Sequence, residues 1–552
     1  MGRARRVVIV GASAAGLRCA CRLARLEPET RVTVLDRRET VSWSACGLPF
    51  VLSGDIADPV ALRRTAYGVV RDPAFFRDWK GVDLYSGVEV VSIDPRRRRL
   101  TCREGDALSE LAWDELVLAT GARARRPPDL PRDPRIAVFH EPADLEPVAD
   151  GLRGGVFERV VVVGAGLVGC ELAEALAGSW GVDVVLLEAA DRPLPTLLDA
   201  EIAALVGAEL ERQGVQLLLG HRLEGIEPSP GAVHVRAGGA RLAADLVLLA
   251  LGVDPAAELA VSAGIATGDD GGILVDDRLA TSAENVHAAG DVVEITHAVT
   301  GRPCHLPLGS LANRQGRVLA DVLAGRDDRF GPVAGAAALR VFDLVVAATG
   351  LTAERARATG LSAHVAWLTT PDAAHYWPGE RDVHVAITWE RGTRRVLGVQ
   401  AAGSREAGRV VDLATAVILA RGRLEELAAI EHAYCPPLAP ATDPLALAAR
   451  AALNAERDGV RPVPPTSPLD GRDVVDCRLP AEIDAHPFAA RCIASPVAVR
   501  RGDLQTEGPA LLVCERGTRS YEAARHLVQA GRPASYLGGG LSWRRAAGRA
   551  KR

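Results

Sequence analysis

Two glycine turns, each set between a β-branched run and a helical pattern, constrain this chain more than any other feature. The first, Gly11-Ala-Ser13-Ala14-Ala-Gly16, follows a predicted strand at Val7–Val10 and opens a predicted helix over Ser13–Leu26. A second strand is predicted at Arg31–Leu35. The second turn, Gly164-Ala-Gly166-Leu-Val-Gly169, repeats the pattern, between a strand at Arg159–Val163 and a helix over Leu167–Ala177, with a further strand at Asp183–Leu187. Glycines in such a turn let the chain reverse tightly and aim backbone amides at a pyrophosphate at the helix start. Asp36 ends the second strand of the first unit, and Glu188 holds the matching place in the second. A carboxylate there accepts a hydrogen bond from a ribose hydroxyl. Only the second turn carries all three glycines; Ser13 takes the middle place in the first. The pattern predicts an α/β chain with two Rossmann-like dinucleotide-binding domains about 150 residues apart.

Length and composition set the rest of the frame. The 552 residues leave room for three or four domains, and 48% apolar residues supply sizeable cores. The net charge of −5, with both signs interspersed, argues against nucleic-acid binding, which needs a basic stripe. Lys80 and Lys551 are the only lysines, a bias read as base composition. No apolar run reaches the roughly 18 residues of a membrane span. Arg3, Arg5 and Arg6 before Val7–Val10 imitate a secretory or twin-arginine signal, but the glycine turn that follows makes them the start of a strand. Ten scattered cysteines, without CxxC pairs or Cys/His clusters, fit a reduced cytoplasmic protein with reactive thiols and no metal.

Two dinucleotide sites in one chain imply a relay in which a nicotinamide delivers hydride to a second bound cofactor, most economically a flavin. Supporting segments follow their strands: Leu116-Val-Leu-Ala-Thr120-Gly121 and Asn285-Val-His-Ala-Ala-Gly290-Asp291. Arg37, Ser42, Gly252 and Leu308 complete the candidate cofactor contacts. Glu188 would repel a 2′-phosphate and so favours NADH, while nearby Arg192 keeps NADPH in play. In Ser42-Trp-Ser-Ala-Cys46-Gly-Leu-Pro-Phe50, Cys46 has Val41 five residues before it and Val51 five after. It therefore lacks a local resolving cysteine and must cycle through a sulfenate, a mixed disulfide or a persulfide. A helix start after Gly47 and the flavin edge are expected to lower its pKa.

The chain resembles the pyridine nucleotide-disulfide oxidoreductases over roughly residues 5 to 450. The resemblance implies FAD at the first turn, NAD(P)H at the second and Asp291 on the flavin ribityl chain. The Ser-x-x-x-Cys-Gly-Leu-Pro segment is similar to the coenzyme A-disulfide and persulfide reductase branch. Oxidase and peroxidase relatives carry a histidine where this chain has Ala14, so oxygen or peroxide reduction is the lesser alternative. A low-turnover redox sensor or sulfur carrier is another. Val299-Thr-Gly-Arg-Pro303, Ala312–Arg317 and Leu339–Asp343 match the same branch, as do His375-Tyr376-Trp377-Pro-Gly379 and Tyr434-Cys-Pro-Pro437. The branch implies a homodimer in which Tyr376 and Tyr434 approach the partner's cysteine and donate a proton, and Arg22 as a contact for the coenzyme A phosphates. Trp377 stands where the family has a second tyrosine, and Ala45 where asparagine is common.

The last unit reads as a separate small α/β domain. A strand at Ala510–Val513 leads into Cys514-Glu-Arg-Gly-Thr-Arg519 and then a helix from Ser520. Such a loop converges its amides on the sulfur and stabilises a thiolate or persulfide. Together with Val474–Arg478, His486–Ala490 and Gly538–Trp543, it resembles a rhodanese domain with Cys514 as sulfur carrier and Arg519 toward the substrate. The expected organisation is an FAD-binding domain in two segments, 1–123 and 251–328, around an NAD(P)H-binding domain at 124–250. An α+β dimerisation domain (329–455), a semi-rigid proline-rich linker (456–468) and a rhodanese-like domain (469–552), whose basic tail from Arg544 is frayed, complete it. The expected activity is NAD(P)H-driven reduction of coenzyme A disulfide, coenzyme A persulfide or polysulfide.

Overall fold

The computed structural model describes residues 4–469, 472–490, 492–504 and 508–548. β-Branched runs bounded by glycine build two five-stranded parallel sheets. The first runs in the order Val286–Ala288, Glu115–Leu118, Arg6–Val10, Arg31–Asp36, Asp83–Ser86. The second runs Gln216–Leu219, Asp183–Glu188, Arg159–Val163, Leu246–Leu249, Ile136–Val138. In both, the strand before the glycine turn is central and pairs in parallel with the strand that ends in the acid. Central strands are buried on both faces, which is why Val7–Val10 and Val160–Val163 read as unbroken apolar runs. Each parallel sheet has an antiparallel three-stranded partner, Glu89–Ala112 and Leu223–Ala244. The chain crosses between the two domains through paired short strands, Ala122–Ala124 and Val253–Pro255.

The helix predicted over Leu167–Ala177 is α-helical only to Glu174; Ala175–Ser179 widens into a π-turn. That extra residue re-aims Trp180, whose Nε1 donates to the Leu52 carbonyl at 2.8 Å, in the helix that follows Cys46.

Residues 337–403 form a five-stranded antiparallel sheet, in the order Ala337–Val341, Leu344–Gly350, Val396–Gly403, Asp382–Glu390, Ala363–Pro371, backed by helices Glu406–Leu419 and Pro444–Asp458. The C-terminal unit is a parallel sheet in the order Pro462–Val463, Ala534–Leu537, Ala510–Val513, Asp473–Asp476, Cys492–Ile493. The segment expected to be a linker therefore supplies an edge strand: Pro462 and Val463 pair with Tyr536 and Leu537. Proline suits an edge because it has no ladder donor to lose.

The same unit is docked. Trp543 is fully buried, with Nε1 donating to the Glu201 carbonyl at 3.1 Å and its ring 5.0 Å from that of His384. Arg544, expected to be frayed, is 3% exposed and donates to the carbonyls of Pro465 and Ser467. Residues 549–552 of that predicted tail lie outside the described residues. Among the described residues no helix is long and apolar enough to cross a membrane.

Candidate functional site

Backbone sterics demand glycine at both turns. Gly11 has φ +115° and an added Cβ would lie 2.1 Å from the Ala119 oxygen; Gly164 has φ +102° and would meet the Ala250 oxygen at 2.4 Å. At Gly16 and Gly169 a Cβ would strike the carbonyl of Gly11 or Gly164, because helix and strand pack closely there. Gly166 is different: a Cβ there would meet nothing of the chain, so its smallness leaves clearance for a bound phosphate.

The two acids repeat one geometry. Asp36 accepts from the amides of Ala12 at 2.7 Å and Arg38 at 2.9 Å; Glu188 accepts from Ala165 at 2.8 Å and Ala190 at 2.9 Å. Each carboxylate is thus fixed beside its glycine turn. Arg192 is committed elsewhere, with Nε on the Leu198 carbonyl and its terminal nitrogens on Asp191 and Glu354. Ser42 stands in the left-handed region at φ +62° and is buried, its amide donating to the Ala12 carbonyl at 3.0 Å. Arg37 is exposed, and its neighbour Arg38 holds Glu141 at 2.6 Å. Thr120 Oγ1 donates to the Ala256 carbonyl at 2.7 Å, and Gly121 and Gly252 take positive φ at the domain crossing. The Gly290 amide donates to Gln315 Oε1, orienting the segment that presents Asp291, whose carboxyl burial pushes up.

One cavity of about 1090 Å³ joins these parts. Its wall includes Ser13 and Ala14, Gly166 and Leu167, Gly252, Asp291 and Cys46. Residues from both glycine turns thus face the same space as the thiol. The donors and clearances fit FAD and NAD(P)H: two amide-lined helix starts, two fixed acids and the open face of Gly166.

Cys46 is exposed in a short 3-10 turn, Ala45–Gly47, that leads into the helix Leu48–Leu52. Its thiol is not pushed down as expected. Desolvation, then the charges of Glu171 and Asp291, raise it. A counterweight comes from an element the sequence reading did not connect to it: the helix Gly309–Leu323, whose first residue lies beside the sulfur, with an ideal Gly309 Cβ 3.9 Å from Sγ. Its N-terminus, begun by Leu308, favours a thiolate. Glu171, from the helix after the second glycine turn, lines the same cavity; burial and Glu174 push its carboxyl up to about 7.

Arg22 does not line the cavity. It holds Asp321 with two bonds of 2.7 Å and clamps the helices Ala14–Leu26 and Gly309–Leu323 together. The basic end of the cavity belongs to Arg18, Arg25 and Lys80. The seven-residue spacing of the two arginines and the rarity of lysine were the available signals. Tyr376 and Tyr434 lie with hydroxyls 3.3 Å apart, 62% and 48% exposed, beside exposed Trp377 and Leu438. They are not in the wall of the Cys46 cavity of their own chain. In the C-terminal unit Cys514 Sγ accepts from the amides of Gly517 at 3.2 Å and Ser520 at 3.4 Å, the predicted cradle. Arg519, expected to face substrate, instead holds Glu482 with two bonds of 2.6 Å.

Comparison with known proteins agrees with this geometry. The profile of the pyridine nucleotide-disulphide oxidoreductases matches residues 5–310, and that of their dimerisation domain matches residues 336–446. An NAD(P)H sulfur oxidoreductase (CoA-dependent) of Pyrococcus furiosus is 34% identical over 447 residues, covering 81% of this chain and 98% of that protein. The structure of a NAD-dependent persulfide reductase from A. fulgidus is similar with a TM-score of 0.93 at 33% identity, covering 98% of this chain and 99% of that one. Reduced Bacillus anthracis CoADR-RHD is similar at 0.90 and 27%, covering 99% and 98%. With its two nucleotide turns opening on one cysteine-bearing cavity, this chain is an FAD- and NAD(P)H-using oxidoreductase and belongs to the pyridine nucleotide-disulphide oxidoreductase family.

Proposed function

We propose that this enzyme uses NADH to reduce coenzyme A disulfide, coenzyme A persulfide or polysulfide through Cys46 as its single redox thiol. The observation that carries the reading is the shared cavity, whose wall holds Cys46, residues of the two nucleotide turns and the basic cluster Arg18, Arg25 and Lys80. That cluster suits a substrate bearing phosphates.

The Cys46 thiolate attacks one sulfur of the disulfide; a Cys46–S bond forms, the substrate S–S bond breaks, and a thiolate leaves. The Gly11–Gly16 turn with Asp36 would hold a flavin and the Gly164–Gly169 turn with Glu188 a nicotinamide; bound there, the pair would supply the two electrons that return the mixed disulfide to two thiols. Tyr434 of the partner subunit, paired with Tyr376, gives the leaving thiolate its proton. Two exposed tyrosines beside Trp377 and Leu438 support this, because such a surface fits burial in a homodimer. The rhodanese-like C-terminal unit carries sulfane sulfur on Cys514, supported by the amide cradle and by the likeness of the whole chain to CoADR-RHD. A cytoplasmic setting suits thiols kept reduced.

The test is NADH oxidation by the purified enzyme with coenzyme A disulfide, coenzyme A persulfide, polysulfide, peroxide or oxygen as acceptor. A sulfur acceptor is expected to dominate. Faster turnover with peroxide or oxygen would make the enzyme an oxidase or peroxidase.

A further inference from the structure

Cys514 directly follows the central strand of its sheet, Ala510–Val513, at the start of a loop that carries Arg516 and Arg519. Its sulfur accepts from two neutral donors, the Gly517 and Ser520 amides. The Ser520 hydroxyl, which donates to the Gly517 carbonyl at 2.9 Å, stands 3.4 Å from the sulfur. Such a nest steadies one negative charge on a thiolate or persulfide. An anionic donor would need cations as well, and the cations of this loop are engaged. Arg519 holds Glu482 through both terminal nitrogens. Arg516 gives Nε to Asp382 at 2.8 Å and Nη2 to Glu380 at 3.0 Å. Arg478, with a fully buried side chain, closes on Asp476 at 2.8 Å, and Arg545 engages Glu515. Four guanidiniums face five carboxylates, so this loop presents no net positive charge. Cys514 is also 1% exposed, so a donor must offer its sulfur at a narrow end.

We propose that Cys514 takes sulfane sulfur from an organic persulfide and discriminates against thiosulfate, and that the Arg519–Glu482 and Arg516–Glu380/Asp382 pairs set this choice. The proposal rests on the reading of Cys514 as a sulfur carrier and names its donor class. In the step, the Cys514 thiolate attacks the outer sulfur of R–S–SH; a Cys514 S–S bond forms, the donor S–S bond breaks, and R–S⁻ leaves. No electrons are gained or lost overall. The incoming end is divalent sulfur with at most one charge, which the two amides stabilise. Thiosulfate brings a dianion and a bulky sulfonate toward carboxylates that already hold the arginines. Glu380 follows directly on the Tyr376–Gly379 segment, so Arg516 also fastens the sulfur loop to the stretch bearing that tyrosine.

The test uses the full-length, FAD-loaded enzyme with glutathione persulfide or thiosulfate at equal concentration. Mass spectrometry follows one added sulfur on the Cys514 peptide, with Cys514→Ser as blank. The persulfide should load at least about tenfold faster, a ratio within reach of one unfavourable charge contact. Glu482→Gln keeps an acceptor for the Leu479 amide but frees Arg519, and should raise thiosulfate loading about tenfold with little change for the persulfide. Glu380→Gln, which loosens Arg516, is a second variant should the first fail to fold. Equal wild-type loading from both donors overturns the proposal, as does unchanged thiosulfate loading in a folded variant. Loading from neither donor refutes Cys514 as a sulfur carrier, and the donor preference falls with it.

Discussion

At the scale of single residues, the chemistry turns on the charge of Cys46. Desolvation within the cavity and two carboxylates oppose its thiolate, while the N-terminus of the helix Gly309–Leu323 favours it. Burial and Glu174 push the Glu171 carboxyl up to about 7, and its charged form repels the thiolate. Alkylation of Cys46 in the FAD-loaded enzyme should quicken with rising pH as its thiolate forms, at a midpoint held up by desolvation, Glu171 and Asp291. Glu171→Gln should move the midpoint of that profile to lower pH, and an unmoved midpoint would show that the carboxylate is not felt at the sulfur. Cys46→Ser should still bind FAD and accept hydride from NADH, followed by flavin bleaching, yet lose disulfide turnover. Turnover surviving in that variant would point to another thiol; Cys21, at the basic end of the same cavity, is the one to examine.

Among elements, the two strand–turn–helix units differ in ways that set nucleotide choice. Glu188 is fixed by two amides, and Arg192 is spent on Leu198, Asp191 and Glu354. A 2′-phosphate would meet a carboxylate without a free guanidinium beside it. NADH should exceed NADPH in kcat/KM by about tenfold or more, each factor of ten being ~1.4 kcal/mol. Glu188→Gln should narrow the gap, and steady-state kinetics with both nucleotides read it directly. The helix pair Ala14–Leu26 and Gly309–Leu323 is the other decisive element. Gly316 allows close crossing, since a Cβ there would lie 2.3 Å from the Ala15 oxygen, and the Arg22–Asp321 pair holds the crossing. Cys46 owes its helix N-terminus to that packing.

Over the whole molecule, the C-terminal unit behaves as part of one body. Trp543 fills a site made by Glu201 and His384 from two other domains, so Trp543→Ala should cost about 3–5 kcal/mol. Calorimetry should show a lower melting temperature for the reductase domains as well as for the C-terminal unit. Removing the chain after Leu469 should destabilise the remainder, because it uncovers Trp367 and the buried Thr369, whose hydroxyl donates to the Gly539 carbonyl at 2.7 Å. Across subunits, mixing Cys46→Ser with Tyr434→Phe chains should create heterodimers with one intact site. Activity no higher than either parent's, with subunit exchange confirmed, would remove the tyrosine from the partner's site.

The sequence alone determined the two dinucleotide units, their acids, the isolated Cys46 and the Cys514 loop. These follow from local sterics: a strand, a turn whose first and last glycines tolerate no Cβ and a helix start lie within about twenty residues of one another, so the pattern is complete in the order of the letters. Tertiary structure decided what each charge and helix end would meet. Arg22 and Arg519 look alike in sequence to any ligand-facing arginine; their pairing with Asp321 and Glu482, distant along the chain, is visible only in the fold. The helix beside Cys46, the basic end at Lys80, and the prolines that proved to be an edge strand were hidden for the same reason. Their partners are supplied by packing across domains, and a single sequence encodes that packing without displaying it.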